Sequence, residues 1–370
     1  MPTASLRDVA FPLRTLDPDA ADDSDLEMLR DVIGDARVVC LGESVHFASE
    51  FYQLRDRVLR FLVRELGFSA FALESGLPEG LAVDGWVRGG PGSLAEIARS
   101  GITWSFGRCE EMHAQLQWMR DWNATHEHRV GFYGMDVPGW CTNPGPGVAV
   151  CLARLAPQPG DRELLAAAEL VERAQAAGDD LALQCARGAA RVVEFLDHGL
   201  YPGGGRNLRN EVMADNLRWI LDREDRVLVG AHNVHLQRSP SFDGTAPIGA
   251  LLAAALGNDP VVIGTTRAAG PVPDPDLDAE PARRFTTPAA EPTSPPPHSL
   301  DAVLDTAGPL HLVDFRQAPP MALAPATAMF GQQFLIDLDP AQTFDAVIHV
   351  RQITPAHGAA DDLPANPAEP

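Results

Sequence analysis

A chain of 370 residues with 45% hydrophobic side chains is long enough for one large α/β domain with a full buried core. Its formal net charge of −22 at pH 7, with no basic stripe to offset it, argues against nucleic acid as a partner. All 29 basic side chains are arginine, which excludes Schiff-base and pyridoxal-phosphate chemistry and the usual lysine-type P-loop.

No apolar run approaches the roughly 20 residues that a membrane span requires. No charged-then-apolar leader follows Met1, so a cytoplasmic protein without a membrane partner is expected. Cys40, Cys109, Cys141, Cys151 and Cys185 form no CxxC pair, and neither a disulfide framework nor a zinc site is expected.

Asp17 to Asp25 is an acidic leading segment, and Ser24 with Glu27 gives a capping-box pattern for a short helix to about Ile33. Arg37 to Gly42 is a short apolar run followed by Glu43-Ser44-Val45-His46. Glu50 to Leu66 has helical spacing, Gly67 ends it, and Ser69 to Leu73 is a second apolar run that stops at Glu74. Parallel strands joined by a helix put their carboxyl ends on one side, so Glu43, His46 and Glu74 reach the same sheet edge. Arg55 lies on the apolar stripe of that helix with Phe51, Leu54, Val58, Phe61 and Leu62. A guanidinium there needs an anionic partner, either Glu43 or Glu74 in a structural ion pair or a ligand.

Leu77 to Arg88, Ser93 to Ser100 and Arg108 to His126 predict helices, and Arg129 to Gly134 predicts a third strand ending at Met135-Asp136. From Asn143 to Asp225 the chain is rich in Ala, Leu, Glu and Arg, with helical patterns over 161–176, 181–198 and 207–223. This predicts a helical insertion over the carboxyl edge, interrupted by the turn Pro202 to Gly205. Arg226 to Ala231 is a fourth strand, leading into a loop His232-Asn233-Val234-His235, and Pro260 to Thr266 is a fifth. Residues 268–298 are Pro- and Ala-rich without periodicity, a lid or loop. Pro309 to Val313, followed by Asp314, and Phe344 to Val350 complete a single α/β domain over 1–370, with 359–370 as a disordered tail. The fold expected is α/β, a largely parallel central sheet flanked by helices.

Strand exits thus deliver Glu43, His46, Glu74, Asp136, His232, His235 and Asp314. Carboxylates and imidazoles gathered on one edge, with Arg55 nearby, predict an active site there. Gly42-Glu43-Ser44-Val45-His46 approaches the G-x-S-x-G elbow, but that tight turn needs a small residue where His46 stands. His232-x-x-His235 lacks the i,i+4 register of zinc proteases, although His46, Glu74 and His232 could hold a divalent metal. The catalytic candidates are His46, Glu43, Glu74, Arg55 and His232. The substrate-binding candidates are His235, Asp136, Phe47, Ser44 and Trp104.

The blocks Leu41 to His46, Glu50 to Val63, Gly67-Phe68, Ala72 to Glu74, Trp118 to Asn123, Phe132 to Asp136, Arg209 to Asn216 and Ala231 to His235 occur in order. As an ordered set from about Val38 to Gly264 they resemble the erythromycin esterase family. The resemblance implies an α/β core with a helical insertion and hydrolysis of a macrolide lactone ester. It also implies His46 as the general base, with Glu43, Arg55, Glu74, His232 and His235 at the other active-site positions. Phe47-Ala48 replaces the family's usual Gly-Thr pair, and Val45 stands where Ser or Thr is common, so the entrance is bulkier and less polar.

The function expected is hydrolysis of an ester or lactone of a natural-product-like small molecule. His46, oriented by Glu43 or Glu74, would activate water, and Arg55, His232 or His235 would stabilise the oxyanion and protonate the leaving alcohol, without a cofactor. The same base acting at carbon would give an epimerase, lyase or cyclase. A non-catalytic ligand- or metal-binding protein is the third alternative.

Overall fold

In chain order, the strands of the computed structural model are β1 (Ala10–Pro12), β2 (Val38–Glu43), β3 (Ala70–Gly76), β4 (Gly131–Asp136), β5 (Val227–His232), β6 (Val261–Ala269), β7 (Val272–Pro273), β8 (Ala289–Ala290), β9 (Leu310–Asp314), β10 (Ala328–Gly331), β11 (Phe334–Asp337) and β12 (Ala346–Gln352). The α-helices are α1 (Met28–Ile33), α2 (Ser49–Leu66), α3 (Leu77–Val87), α4 (Leu94–Gly101), α5 (Glu110–Thr125), α6 (Gly145–Arg154), α7 (Ala167–Ala177), α8 (Asp180–His198), α9 (Leu208–Leu221), α10 (Asn233–Leu236), α11 (Ile248–Leu256), α12 (Leu300–Asp305), α13 (Pro320–Leu323) and α14 (Pro340–Thr343). The structure describes residues 6–156, 167–199, 207–241, 244–273, 289–290, 294–332 and 334–358.

Eight strands form one sheet in the order β1-β9-β12-β6-β2-β5-β3-β4. From β12 to β4 every pairing is parallel, and only β9 and β1 at the far edge pair antiparallel. β2, β3 and β5 are buried at every position, which explains why they read as continuous apolar runs instead of alternating ones. Alternate residues serve opposite faces. Val39, Leu41, Phe71 and Leu228 pack under α2 and α5, while Val38, Cys40, Ala72 and Val229 pack under α9 and α11. The outer side of α2 is covered by the acidic leading segment, where Arg57 pairs with Asp25 at 2.7 Å.

Every predicted strand is present, but β9 runs against its neighbour β12, with Asp314 opposite Ala346 at the start of that strand. Asp314 therefore leaves at the amino edge of the parallel strands, where it binds Arg316 at 2.9 Å, and takes no part in the carboxyl-edge cluster. The period-2 signal of an edge strand carries no direction, so the sequence could not reveal this.

The region 143–225 divides differently from the expectation. α6, α7 and α8 share their own core of Cys151, Leu170, Ala174, Ala182 and Cys185. α9 instead belongs to the main core, since Met213, Leu217 and Ile220 pack on the sheet. It is the helix that leads from the insertion into β5, and amphipathic spacing alone does not distinguish the two roles. α8 meets the carboxyl end of β4, where its Gly188 lies against Pro138. Residues 161–166 of the first predicted helix of this region, the turn 202–205, most of the Pro-rich segment (274–288 and 291–293) and the tail 359–370 lie outside the described residues. Among the described residues no helix is long and apolar enough to cross a membrane.

Candidate active site

β2 ends at Glu43, and a short loop turns back through His46 into α2, which carries Arg55. Glu43 lies directly opposite His232 at the end of β5. Glu74 sits on β3 where the register with β4 shifts between Leu73 and Gly76, a bulge that re-aims a side chain at a sheet edge. His232-Asn233-Val234-His235, expected as a loop, is the cap and first turn of α10, with His232 as the N-cap. Asn233 fastens that turn to β6 through Thr265, accepting its N–H at 3.2 Å and donating to its carbonyl at 2.8 Å. Gly42 makes room for it, because a Cβ there would lie 2.1 Å from Asn233 Oδ1.

The expected cluster comes together. His46 Nδ1 is 2.7 Å from Glu43 Oε1. A carboxylate can only accept, so Nδ1 carries the proton and the neutral ring has its lone pair at Nε2. The other Glu43 oxygen accepts Arg55 Nη1 at 3.2 Å. Arg55 crosses the sheet above Gly230, stacks on Tyr52 at 4.4 Å, and donates Nε to Gln115 Oε1 at 3.4 Å. The rings of His46 and His232 are 4.9 Å apart, and Phe106 lies 5.1 Å from His46 on another side.

A second half of the site is built on Arg209, in the first turn of α9. It donates Nη2 to Glu74 Oε1 at 2.7 Å and to Asp136 Oδ2 at 2.6 Å. Its Nη1 lies 3.1 Å from His235 Nε2. Since a guanidinium only donates, Nε2 accepts, and His235 is the neutral tautomer whose Nδ1–H binds Asn210 Oδ1 at 2.8 Å. Trp104 covers Arg209 at 4.7 Å and donates its indole N–H to Asp136 at 3.0 Å.

The titration behaviour follows from these contacts. Burial opposes protonation of His46, but hydrogen bonding to Glu43 and the charge of Glu74 overcome it, so its pKa is raised. Burial and the neighbouring His46 push His232 down to about 3, and burial pushes His235 down to about 4 against the pull of Glu74. Burial alone would raise Glu74, yet His235, Arg209 and His46 hold it well below the usual carboxylate range.

The other candidates are brought to the site in different capacities. His232 has both ring nitrogens engaged, Nε2 with the Ser44 carbonyl at 3.1 Å and Nδ1 with the Val234 N–H at 3.3 Å. Both Glu74 oxygens also accept hydrogen bonds, the second from the His232 N–H at 2.8 Å. Among the described residues no group of three or more His, Cys, Asp or Glu is arranged to hold a metal ion. Ser44 and Phe47 flank His46 in the chain and are buried, at 0% and 1% exposed. Trp104 is partly exposed and stands at its rim against Trp140, 5.6 Å away.

Arg209, Gln115 and Gln332 were not foreseen. Arg209 left one clue, since a cation in the first turn of a long helix opposes the helix dipole and needs another reason to be there. Gln332 lies at the tip of the β10–β11 hairpin, which no sequence pattern announced. Phe47, Trp104, Ser105, Trp140, Cys141 and Gln332 are the described non-glycine residues with positive φ. Backbone strain of this kind gathers at functional sites, and most of these residues border this one.

The family model for erythromycin esterase matches residues 63–169 and 151–353. Erythromycin esterase type II from Escherichia coli is 30% identical over 72% of this chain and 77% of its own length. Erythromycin esterase type I, also from Escherichia coli, is 29% identical over 33% of this chain and 29% of its own. Solved structures share the fold, among them the following two. A Bacillus cereus protein superposes with a TM-score of 0.77 at 22% identity, covering 95% of this chain and 97% of that one. A mutant of the erythromycin esterase EreC in its open conformation gives 0.71 at 20%, covering 94% and 98%. Fold, site and relatives together define an enzyme of the esterase-like hydrolase class. The chain belongs to the erythromycin esterase family.

Proposed function

We propose that the chain hydrolyses an ester or lactone of a natural-product-like small molecule, with His46 as the general base that activates water. The observation that carries this reading is the 2.7 Å contact between Glu43 and His46 Nδ1, which directs the basic lone pair of the ring to Nε2. Nε2 takes a proton from water as the water oxygen bonds to the carbonyl carbon. The bond to the alcohol oxygen then breaks, and Nε2–H returns the proton to it.

Charge balance supports the same role. Glu43, Glu74 and Asp136 face Arg55 and Arg209 in hydrogen-bonded pairs, so the cluster keeps one negative charge that a proton on His46 cancels. The imidazolium formed in the reaction therefore has a ready counter-charge. We assign His232 and His235 to holding the site's shape, because each is neutral and hydrogen-bonded to the protein. Trp104 is assigned to substrate contact. No metal or cofactor enters the scheme, since each carboxylate already has a guanidinium partner.

Phe47 and Phe106 shield His46, a setting that also suits proton abstraction at carbon. Reaction in oxygen-18 water and in deuterium oxide separates the two. Oxygen-18 in the carboxylate product, lost in His46→Asn, is the result expected. Deuterium at a substrate carbon without oxygen-18, or wild-type rates in His46→Asn, would overturn the proposal.

A further inference from the structure

The β10–β11 hairpin meets the loop between β2 and α2 through Gln332. Gln332, at the tip, has a φ of 57°, a conformation that glycine or asparagine adopts far more readily than glutamine. Its main-chain N–H donates to the Ser44 carbonyl at 2.7 Å. Its side-chain Oε1 accepts the main-chain N–H of His46 at 3.0 Å. The same Ser44 oxygen receives His232 Nε2, so Gln332 and His232 grip one carbonyl from two sides.

The hairpin is itself anchored. Arg267, at the carboxyl end of β6, is 3% exposed and donates Nη2 to the Gln332 carbonyl at 3.1 Å. Its guanidinium lies over the ring of Phe330 at 5.1 Å. Asp301 of α12 accepts the N–H of Phe330 at 2.9 Å and of Arg267 at 3.2 Å, joining the hairpin to the sheet. Space is tight at the tip, where a Cβ on Gly331 would lie 2.4 Å from Ile336 Cδ1. A strained glutamine, pinned from behind by a buried arginine and spending both main-chain and side-chain groups on residues 44 and 46, is costly unless the position of that loop matters.

We infer that Gln332 is a positioning residue for His46, fixing the main chain of the catalytic loop so that the ring keeps both its contact with Glu43 and its aim at the substrate. The inference rests on His46 being the base, as proposed above. Glutamine suits the task because its amide oxygen accepts the His46 N–H without adding charge beside the ring.

Three variants of the full chain test it: Gln332→Gly, Gln332→Glu and His46→Asn. Each is assayed for hydrolysis of p-nitrophenyl acetate against pH, and by NMR titration of the histidine rings, with the His46 signal identified by its loss in His46→Asn. Glycine retains both main-chain bonds and relieves the positive φ while removing the side chain with its Oε1 acceptor. We expect kcat about tenfold lower or less in Gln332→Gly, KM within about twofold, and an unchanged or higher Tm. Glutamate restores the acceptor and brings a charge, so it should recover most of kcat and raise the His46 titration midpoint by about half a pH unit or more. The NMR arm reads the ring whether or not this ester is turned over. Wild-type kcat in Gln332→Gly, or a His46 midpoint in Gln332→Glu equal to that of the parent, overturns the inference. Full activity in His46→Asn instead overturns the base assignment, whatever Gln332 does.

Discussion

Glu43 holds His46 with one carboxylate oxygen at 2.7 Å and Arg55 with the other at 3.2 Å. An amide cannot do both in the same way. In Glu43→Gln the oxygen turns to the buried guanidinium, which leaves the NH2 facing Nδ1 and forces the ring proton onto Nε2. The proposed base is then present in the wrong tautomer, a fault that costs a comparable hydrolytic histidine about 10⁴ in kcat. We expect a loss of about 10² to 10⁴ in kcat with the fold retained, measured by steady-state kinetics beside circular dichroism. A loss below tenfold would mean that Glu43 does not set the tautomer.

What the sequence disclosed and what it withheld have the same physical origin. β2, β3 and β5 are buried at every position and β4 at all but Tyr133, so each appears as an apolar run, and parallel topology sends whatever follows each run to one edge. His46, Glu43, Glu74, Asp136, His232 and His235 could be gathered from that rule alone. Arg209 and Gln332 could not, because each reaches the site from an element defined by tertiary packing. By spacing alone α9 is one more helix of an Ala-rich region; its packing against the sheet is what sets it apart. The hairpin spans four residues a side, too short and too mixed in pattern to register. Asp314 was misplaced by the converse fault, since a short edge strand does not announce its direction.

Arg209 is the shared counter-charge of Glu74 and Asp136, whose side chains are 3% and 0% exposed. Removing it in Arg209→Met leaves two buried carboxylates without a cation, a change that typically costs about 3–5 kcal/mol. Adding Asp136→Asn to that variant should return part of the loss, because only one carboxylate is then unpaired. Urea denaturation of the single and double variants checks this. Equal stability of Arg209→Met and the parent protein would show that the pairs contribute nothing net.

Of the three histidines at the site, only His46 should govern the rate above pH 5. His232 and His235 are held at about 3 and about 4, too low to titrate there, while His46 lies above the ordinary imidazole value. With His46 as the proposed base the neutral ring is the working form, so kcat/KM should fall tenfold per pH unit as pH drops through its raised pKa. Losing the carboxylate in Glu43→Gln removes a raising contact and should move whatever limb remains to lower pH. A parent profile with its acidic limb near pH 4 would assign the dependence to a carboxylate and not to His46.

Folding stability has the same sensitivity with more contributors. Burial lowers His232 to about 3 and His235, His311 and His349 to about 4, and the rings of His311 and His349 face each other at 5.4 Å across β9 and β12. In the unfolded chain these groups take up protons near pH 6.5, whereas in the folded chain they stay neutral until far lower. Between those values the unfolded state binds more protons, so stability must decline as pH falls from about 6.5 towards 4. Each group contributes at most about 1.4 kcal/mol per pH unit. Raised His46 works the other way, because its protonated form is favoured on folding and its contribution is fully present below the unfolded pKa. Buried Asp301, pushed up to about 6, also works the other way, but four lowered histidines outweigh these two groups, and Glu74, held low in the folded state, adds to the loss as pH falls through the unfolded carboxyl pKa. The urea midpoint should therefore be clearly lower at pH 5 than at pH 7.5. Equal midpoints would mean that these imidazoles are protonated in the folded protein, and the neutral tautomers assigned to His232 and His235 would fail with them.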